Sequence, residues 1–307
     1  MPISRTSIIR GPAIILFNGQ TIRTKGDLKL SLFNESWDVE VASLGLVDKR
    51  VKSRRITLDF IPSGEWTSGL LSTLFPYTAT PVGTSLFGAD TPLTIQTVAG
   101  QKLVFASAAV TKMPRLVFSA SETLFGPCQF TCLGRDNTVW SDPADIVAIS
   151  ANAYTDNGFS LANVVTQAPM LAWGSTAPWN NFATRDGVTV EFDLQLAAVT
   201  TDEQGLVDLT LKSLTATARC VPIGVTENDL VNLLLLQGTG AAAGRSLQAT
   251  SRALTINASS PQCIISGANA LAADAHFGPA ALRAGEVMFV STRNYSGGTP
   301  PPVFTLN

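Results

Sequence analysis

Two pairs of acidic residues have the spacing that glycoside hydrolysis would use. Asp38 and Glu40 lie two residues apart in one predicted strand, and Glu191 and Asp193 lie two apart in another. Side chains two apart on a strand share a face and lie about 7 Å apart, a separation compatible with an acid–base pair of carboxyl groups. The neighbouring sequence offers no cluster of aromatic or amide side chains to hold a sugar. A solvated sheet surface, or one that lines a channel, explains these four carboxylates better than catalysis.

The other reactive residue types form no catalytic or metal-binding motif. The single histidine, His276, and four cysteines without a C-x-x-C spacing argue against a Ser-His-Asp triad and a zinc site. Cys128 and Cys132 lie four apart in an apolar run, which predicts buried free thiols on one face of a strand. The glycine-rich segment 238–244 follows a predicted helix instead of opening one, so it is unsuited to hold phosphates. We therefore predict neither enzymatic activity nor a cofactor.

One basic run, KRVKSRR at residues 49–55, is a candidate binding surface. A nucleic-acid patch would need interleaved aromatic residues and a second copy of the charge, and only Lys212 stands in the corresponding later segment. A contact between subunits or a solvated face is the favoured interpretation. The candidates for subunit contact are Lys49, Arg50, Arg54 and Arg55.

The composition favours a protein that buries its surface against other chains. Of 307 residues, 45% are hydrophobic and only 14% are charged, which predicts a weakly polar surface. The net charge of −2 argues against a protein that neutralises many phosphates. No apolar stretch approaches the ~20 residues of a membrane span, so we expect no membrane partner.

The chain repeats itself. GLVDKRVKSRRITLDFIPSG, residues 45–64, and GLVDLTLKSLTATARCVPIG, residues 205–224, share nine of twenty positions at an offset of 160, where chance would give about one. LTI recurs at 93–95 and 254–256. FGP recurs at 125–127 and 277–279, in the same order along the chain. These matches predict a tandem duplication, with one domain at 1–152 and a second at 153–307.

Most of the periodic segments predict strands. Apolar and polar residues alternate over 187–196, and the same alternation occurs over 28–32, 37–41 and 56–60. This period of two is typical of half-buried strands.

Each copy also predicts one helix. TENDLVNLLLLQG begins at Thr226 as N-cap with Asp229 at the third following position, and GEWTSGLLSTLFP is its counterpart in the first copy. The segment 76–92 is rich in Gly, Pro and Thr, which predicts an extended loop or hairpin.

Three segments resemble the tail tube (major tail) proteins of long-tailed bacteriophages. They are GPAIILFNGQTIRTKGDLKLSL (11–32), WDVEVASLGLVDKRVKSRRITLDFIPSGEW (37–66) and MPRLVFSASETLFGPCQF (113–130). The resemblance covers most of the first copy and, more faintly, the second. It implies a mainly β fold, a small β-sandwich or half-barrel with one helix per domain.

The resemblance also implies an assembly. Tube proteins with two fused domains form homotrimeric, pseudo-hexameric rings that stack into a tube through which double-stranded DNA passes. The implied partners are copies of the chain itself, the tape measure protein and other tail proteins. The implied location is the tail of the virion, after synthesis in the cytoplasm of the host bacterium. Asp38, Glu40, Glu191 and Asp193 are then candidates to face the lumen, and Thr84, Leu86 and Phe87 candidates to bridge rings.

Two alternatives stay open at the level of sequence. A duplicated β-sandwich binding or adhesin module would predict an exposed aromatic cluster in corresponding loops of both copies. Trp140, Trp173 and Trp179 do not correspond across the repeat, which counts against it. Another ring component of the tail, in the baseplate or at the tail terminator, would share the fold of the tube.

Overall fold

A computed structural model gives the fold. It describes residues 13–98, 100–120, 124–134, 146–151, 159–164, 168–175, 177–201, 205–226, 229, 246, 251–277, 282–292 and 301–307. The described part is mainly antiparallel β-structure. This confirms the fold class that the period-two patterns predicted.

The first half of the chain, residues 1–152, contains ten strands and one short helix in its described part. They are β1 (Ala13–Phe17), β2 (Gln20–Arg23), β3 (Lys29–Val41), β4 (Gly45–Phe60), α1 (Ser68–Leu74), β5 (Leu93–Thr97), β6 (Gln101–Phe105), β7 (Ser107–Lys112), β8 (Leu116–Phe118), β9 (Cys128–Leu133) and β10 (Val147–Ala151).

The second half, residues 153–307, has longer strands. After a 3₁₀ turn at Leu161–Asn163 come β11 (Met170–Trp173), β12 (Phe182–Thr201), β13 (Gly205–Ile223), β14 (Arg252–Ile256), β15 (Cys263–Phe277), β16 (Leu282–Ser291) and β17 (Phe304–Leu306).

The strands of the second half close on themselves. β11 pairs with β12, β12 with β13, β13 with β16, β16 with β15, β15 with β14, and β14 with β11. A six-stranded antiparallel barrel results, and β17 adds to β15. The sequence had predicted a sandwich or a half-barrel. A closed circuit leaves fewer free edges than either.

The first half follows the same circuit with two interruptions. β2 and β3 together take the place of β12, and β6 and β7 together take the place of β15. β1 then pairs with β2 and β5, β4 pairs with β3 and β9, and β7 pairs with β9. β10 adds to β6 as β17 adds to β15. Every strand of the second barrel thus has a counterpart in the first half.

The register agrees in detail between the first hairpin, β3–β4, and the second hairpin, β12–β13. Both hairpins shift register at two equivalent places, Glu35/Ser36 and Val39/Glu40 in one and Gln195/Leu196 and Val199/Thr200 in the other, and the second hairpin shifts once more at Arg185/Val188. The offset of 160 relates both pairs of positions. Because a slip of one residue turns every side chain to the other face, matching shifts place corresponding residues on corresponding faces.

The shifts also explain where the sequence identities fall. On β4 the residues left over by the pairing are Val47 and Lys52, and on β13 they are Val207 and Lys212. Both pairs are identical in type and lie within the matching GLVD and KS stretches. The repeated residues therefore include those that form the β-bulges of the two hairpins.

The FGP triplets do not correspond in the structure. Phe125 lies on the returning chain, where it bridges to Leu116. Phe277 ends the outgoing strand β15 and pairs with Leu282. Aligning the two triplets was therefore wrong, and the strand pairing relates β9 to β16 instead.

The helix of the first half is shorter than predicted. The Thr67 hydroxyl accepts a hydrogen bond from the Leu70 amide at 3.3 Å, and the buried face of α1 carries Leu70, Leu71 and Leu74. Most of the second predicted helix lies outside the described residues. Its predicted start is present, since the Asp229 amide donates to Thr226 Oγ1 at 3.3 Å and the Thr226 amide donates to Asp229 Oδ2 at 3.1 Å.

The two halves share one interior. The ring of Phe75, just after α1, lies 5.2 Å from Phe192 and 5.9 Å from Phe304, and these two rings are 4.3 Å apart. The indole of Trp66 donates to the backbone carbonyl of Asn307 at 2.8 Å. The second half therefore completes the core of the first.

The backbones of the two halves lie close together at Gly187. Strand β8 pairs with Val188–Val190 of β12, and a Cβ built on Gly187 would lie 2.3 Å from the carbonyl oxygen of Phe118. Gly187 also has a φ of +90°, whereas Gly26, at φ +85°, has open space around it.

We expect Gly187→Ala to weaken the junction between the halves. Gly26→Ala should cost about 1–2 kcal/mol from backbone strain alone. Gly187→Ala should cost ~1–3 kcal/mol more, because β8 must also move away. Urea unfolding of the two variants measures the difference, and equal losses of stability would contradict this contact.

Candidate subunit interface

The described residues offer no grouped reactive side chains. Within them, no three His, Cys, Asp or Glu side chains stand close enough together to hold a metal ion. No helix of the described residues has the length and apolar character needed to cross a bilayer.

The four cysteines are buried and free, as predicted for Cys128 and Cys132. Burial raises the pKa of the Cys132 and Cys220 thiols to about 12. It raises the pKa of Cys128 and Cys263 still further. Because the thiolate is the nucleophile, these residues are inert in the folded chain.

The predicted lumen residues have basic neighbours. Asp38, on β3, accepts a hydrogen bond from Lys49 on β4 at 2.8 Å, and Glu40 is exposed near the turn of the same hairpin. Glu191 and Asp193 line a cleft of about 530 Å³ between the halves. Lys112 and Arg115 of the first half line this cleft as well. The sequence did not reveal that Lys112 and Arg115 lie near Glu191 and Asp193, because these residues are far apart along the chain.

The predicted contact residues lie on the same hairpin as two predicted lumen residues. Lys49 and Arg50 are exposed near its turn, and Arg54 and Arg55 are half-buried further along β4. The guanidinium of Arg55 lies 4.5 Å from the ring centre of Phe33. The guanidinium of Arg50 lies 5.8 Å from that of Trp37. The structure thus brings together residues that the sequence had assigned to two surfaces.

The predicted inter-ring residues make contacts within the chain, and their role in bridging rings stays a prediction. The Leu211 amide donates to the Thr84 carbonyl at 2.9 Å, and the Leu86 amide donates to the Leu209 carbonyl at 2.8 Å. Phe87 is buried in a small apolar cluster that includes Leu206. Segment 83–87 therefore behaves as a short added strand on β13. Its composition had predicted an extended loop or hairpin, but composition cannot reveal a distant partner strand.

The first hairpin exposes an apolar face that the second hairpin buries. Leu30 and Leu32 are 41% and 62% exposed, whereas the equivalent Val190 and Phe192 are 0% and 9% exposed. The same contrast separates two further pairs: exposed Leu46 and Val51 against buried Leu206 and Leu211. Alternation alone predicted half-buried strands over residues 28–32 and 37–41. That prediction was wrong for Leu30 and Leu32 in the single chain, where both are exposed.

The first half of the chain provides the cover for the second hairpin. β8 pairs with Val188–Val190, and segment 83–87 pairs with residues 209–211. Within the described residues β3 pairs with β4 alone. The uncovered face of the first hairpin is therefore the best candidate for a functional surface. Sequence reasoning missed it, although the repeat alignment already paired Leu46 with Leu206.

The tryptophans do not form an exposed cluster in the described part of the chain. Trp173 and Trp179 are both buried, with ring centres 6.4 Å apart. Trp140 lies outside the described residues. The aromatic platform that a binding module would present is thus not formed by Trp173 and Trp179.

No protein-family model matches the chain, and no curated protein shows significant similarity to it.

We expect Phe87→Ala to destabilise the isolated chain by about 3 kcal/mol, because it removes a buried ring at the junction of the halves. Exposed Val82 offers a control, and Val82→Ala should change stability by less than ~0.5 kcal/mol. Urea unfolding under conditions without assembly measures both variants. If Phe87→Ala left the isolated chain as stable as the parent and impaired only assembly, the intrachain role of segment 83–87 would be refuted.

Proposed function

We propose that the chain is a tandem duplication of one tube domain and that its function is to assemble. In this proposal three chains form a pseudo-hexameric ring, and rings stack into the tail tube of a long-tailed bacteriophage. The contrast between the two hairpins carries the proposal. One equivalent surface is covered by a neighbouring half and the other is left exposed, which is the situation of a ring cut open at one point.

Fusion of two domains suits such a ring. One of every two contacts between neighbouring domains becomes intramolecular, so its effective concentration rises to about the millimolar range. Only three contacts between separate chains then remain to be formed. The low charge of the chain is in keeping with a surface that is largely buried in the assembly.

The proposed tube conducts double-stranded DNA without holding it. Asp38, Glu40, Glu191 and Asp193 stay our lumen candidates as two alternative pairs, because Asp38 and Glu40 share a face of β3 with Leu30 and Leu32, whereas Glu191 and Asp193 lie on the opposite face of the equivalent strand β12. Because cations lie opposite Asp38 and beside the cleft of Glu191 and Asp193, we propose a nearly neutral wall in place of a strongly acidic one. A neutral wall releases few counterions from DNA and therefore binds it weakly. The proposed partners remain the tape measure protein and other tail proteins, and the proposed location remains the virion tail.

Electron microscopy of the purified protein tests the proposal. We expect rings with threefold symmetry and six similar lobes, which stack into open tubes whose bore admits a B-form duplex. Isolated rings that never stack would favour a baseplate or terminator component. Stable monomers at all protein concentrations would overturn the proposal.

A further inference from the structure

The junction inside the chain shows how one half binds the next. β7 runs on through Lys112 to β8, which folds against its own return strand through the bridge between Leu116 and Phe125. The outer edge of β8 then adds to β12, with Leu116 opposite Val190 and Val117 opposite Thr189. The first half thus contributes β8, which lies at the end of a hairpin, and the second half pairs with it along the edge of the long strand β12.

The second half has the equivalent hairpin end, formed by the end of β15, and no described strand of the first half pairs with it. β7 and β15 correspond at the offset of 160, because both skip one residue at the equivalent place, Val110/Lys112 in one and Ala270/Ala272 in the other. At this offset Leu116 corresponds to His276, and β15 shifts once more against β16 between Ala273 and Ala275, a shift that the pairs Lys112–Gln129 and Leu116–Phe125 do not show. His276 is exposed, and within the described residues this end of β15 pairs with β16 alone.

In the first half, the edge of β3 is equivalent to the edge of β12 that binds β8, and no described strand pairs with it. Thr189 and Val190 correspond to Lys29 and Leu30 of β3, whose pairing with β4 matches that of β12 with β13. The apolar side chains next to this edge, Leu30 and Leu32, are exposed as described above. The end of β15 in the second half and the edge of β3 in the first half are therefore the two sides of one kind of junction, and within the described residues neither has a partner from another half.

We infer that a second copy of this chain docks head to tail, with the end of its β15 added antiparallel to β3. If the new junction keeps the register of the internal one at the offset of 160, His276 of one copy opposes Leu30 of the next, and Phe277 opposes Lys29. The contact is heterologous, so each copy keeps one free donor and one free acceptor until a ring closes. This inference rests on the proposed function only in requiring self-assembly, and it holds for any ring of this chain.

The two junctions differ at one position. Gly187, which lies against β8, corresponds to Asp27, which is exposed. A Cβ at position 187 would lie 2.3 Å from the carbonyl oxygen of Phe118. Because Asp27 has a Cβ, the incoming strand must lie further from residue 27 than β8 lies from residue 187. The chain-to-chain junction is therefore the looser of the two at this end. Rings should come apart between chains before the halves of one chain separate.

Cysteine cross-linking tests the register. Leu30→Cys and His276→Cys together should give, on oxidation, covalent dimers and trimers on a non-reducing gel, because directly opposed side chains lie about 5 Å apart. Each single variant should stay monomeric, and an equimolar mixture of the two should give dimers and no larger species. Linked species from one single variant alone would indicate a two-fold contact and overturn the inference. The four native thiols are buried and supply an inert background.

A pair of neighbouring substitutions tests the face. Leu32 and Phe33 are similarly exposed on opposite faces of β3, and Phe33 corresponds to Asp193, which stays exposed in the second hairpin. Leu32→Asp should raise the protein concentration needed for assembly at least tenfold, while Phe33→Asp should leave it within about twofold. Circular dichroism and light scattering follow folding and assembly. Normal assembly of folded Leu32→Asp would overturn the inference.

The outcomes separate this inference from the proposed function. Cross-linked trimers that never form tubes would support the head-to-tail contact and reject the tube. Tubes that form without cross-links, and that tolerate Leu32→Asp, would support the tube and reject the contact.

Discussion

A long two-stranded hairpin with one apolar face cannot stay exposed along both its face and its edge, and this constraint organises the chain. In the second half the constraint is met internally. β8 satisfies part of the edge of β12, and segment 83–87 satisfies part of the edge of β13. The side chains beneath, Val190, Phe192 and Leu211, are buried as a result. The first hairpin has two of the same bulges and the same apolar positions, and no described segment covers it.

An uncovered edge of this kind invites pairing with another chain. Natural proteins often blunt such edges with charged or inward-pointing residues, but β3 places Leu30 and Leu32 beside its free edge. Its basic and acidic side chains are partly occupied with one another, as the ion pair of Lys49 with Asp38 shows. The hairpin is thus built to be covered by a specific neighbour, and the internal junction provides the pattern for that neighbour.

The sequence predicted the hairpins well because their information is local. Period-two alternation identified β12, and the offset of 160 located β4 and β13, since the identities GLVD and KS contain the bulge residues. Burial was predicted poorly because it depends on distant segments. Phe87 was assigned to an extended loop or hairpin, and it packs beside Leu206. Leu32 was expected to be half-buried, and no described segment covers it. The FGP match did not identify equivalent residues, because a match of three residues is too short to determine the register of a strand.

Hydrogen–deuterium exchange of the backbone amides tests the central claim most directly, namely that the cover decides which of two equivalent hairpins is buried. In the dispersed chain, we expect the peptide spanning residues 188–193 to exchange slowly and the peptide spanning 28–33 to exchange quickly, because exchange follows local opening. After assembly, both peptides should exchange slowly. Equal exchange of the two peptides in the dispersed chain, or an unchanged rate at 28–33 after assembly, would contradict the account.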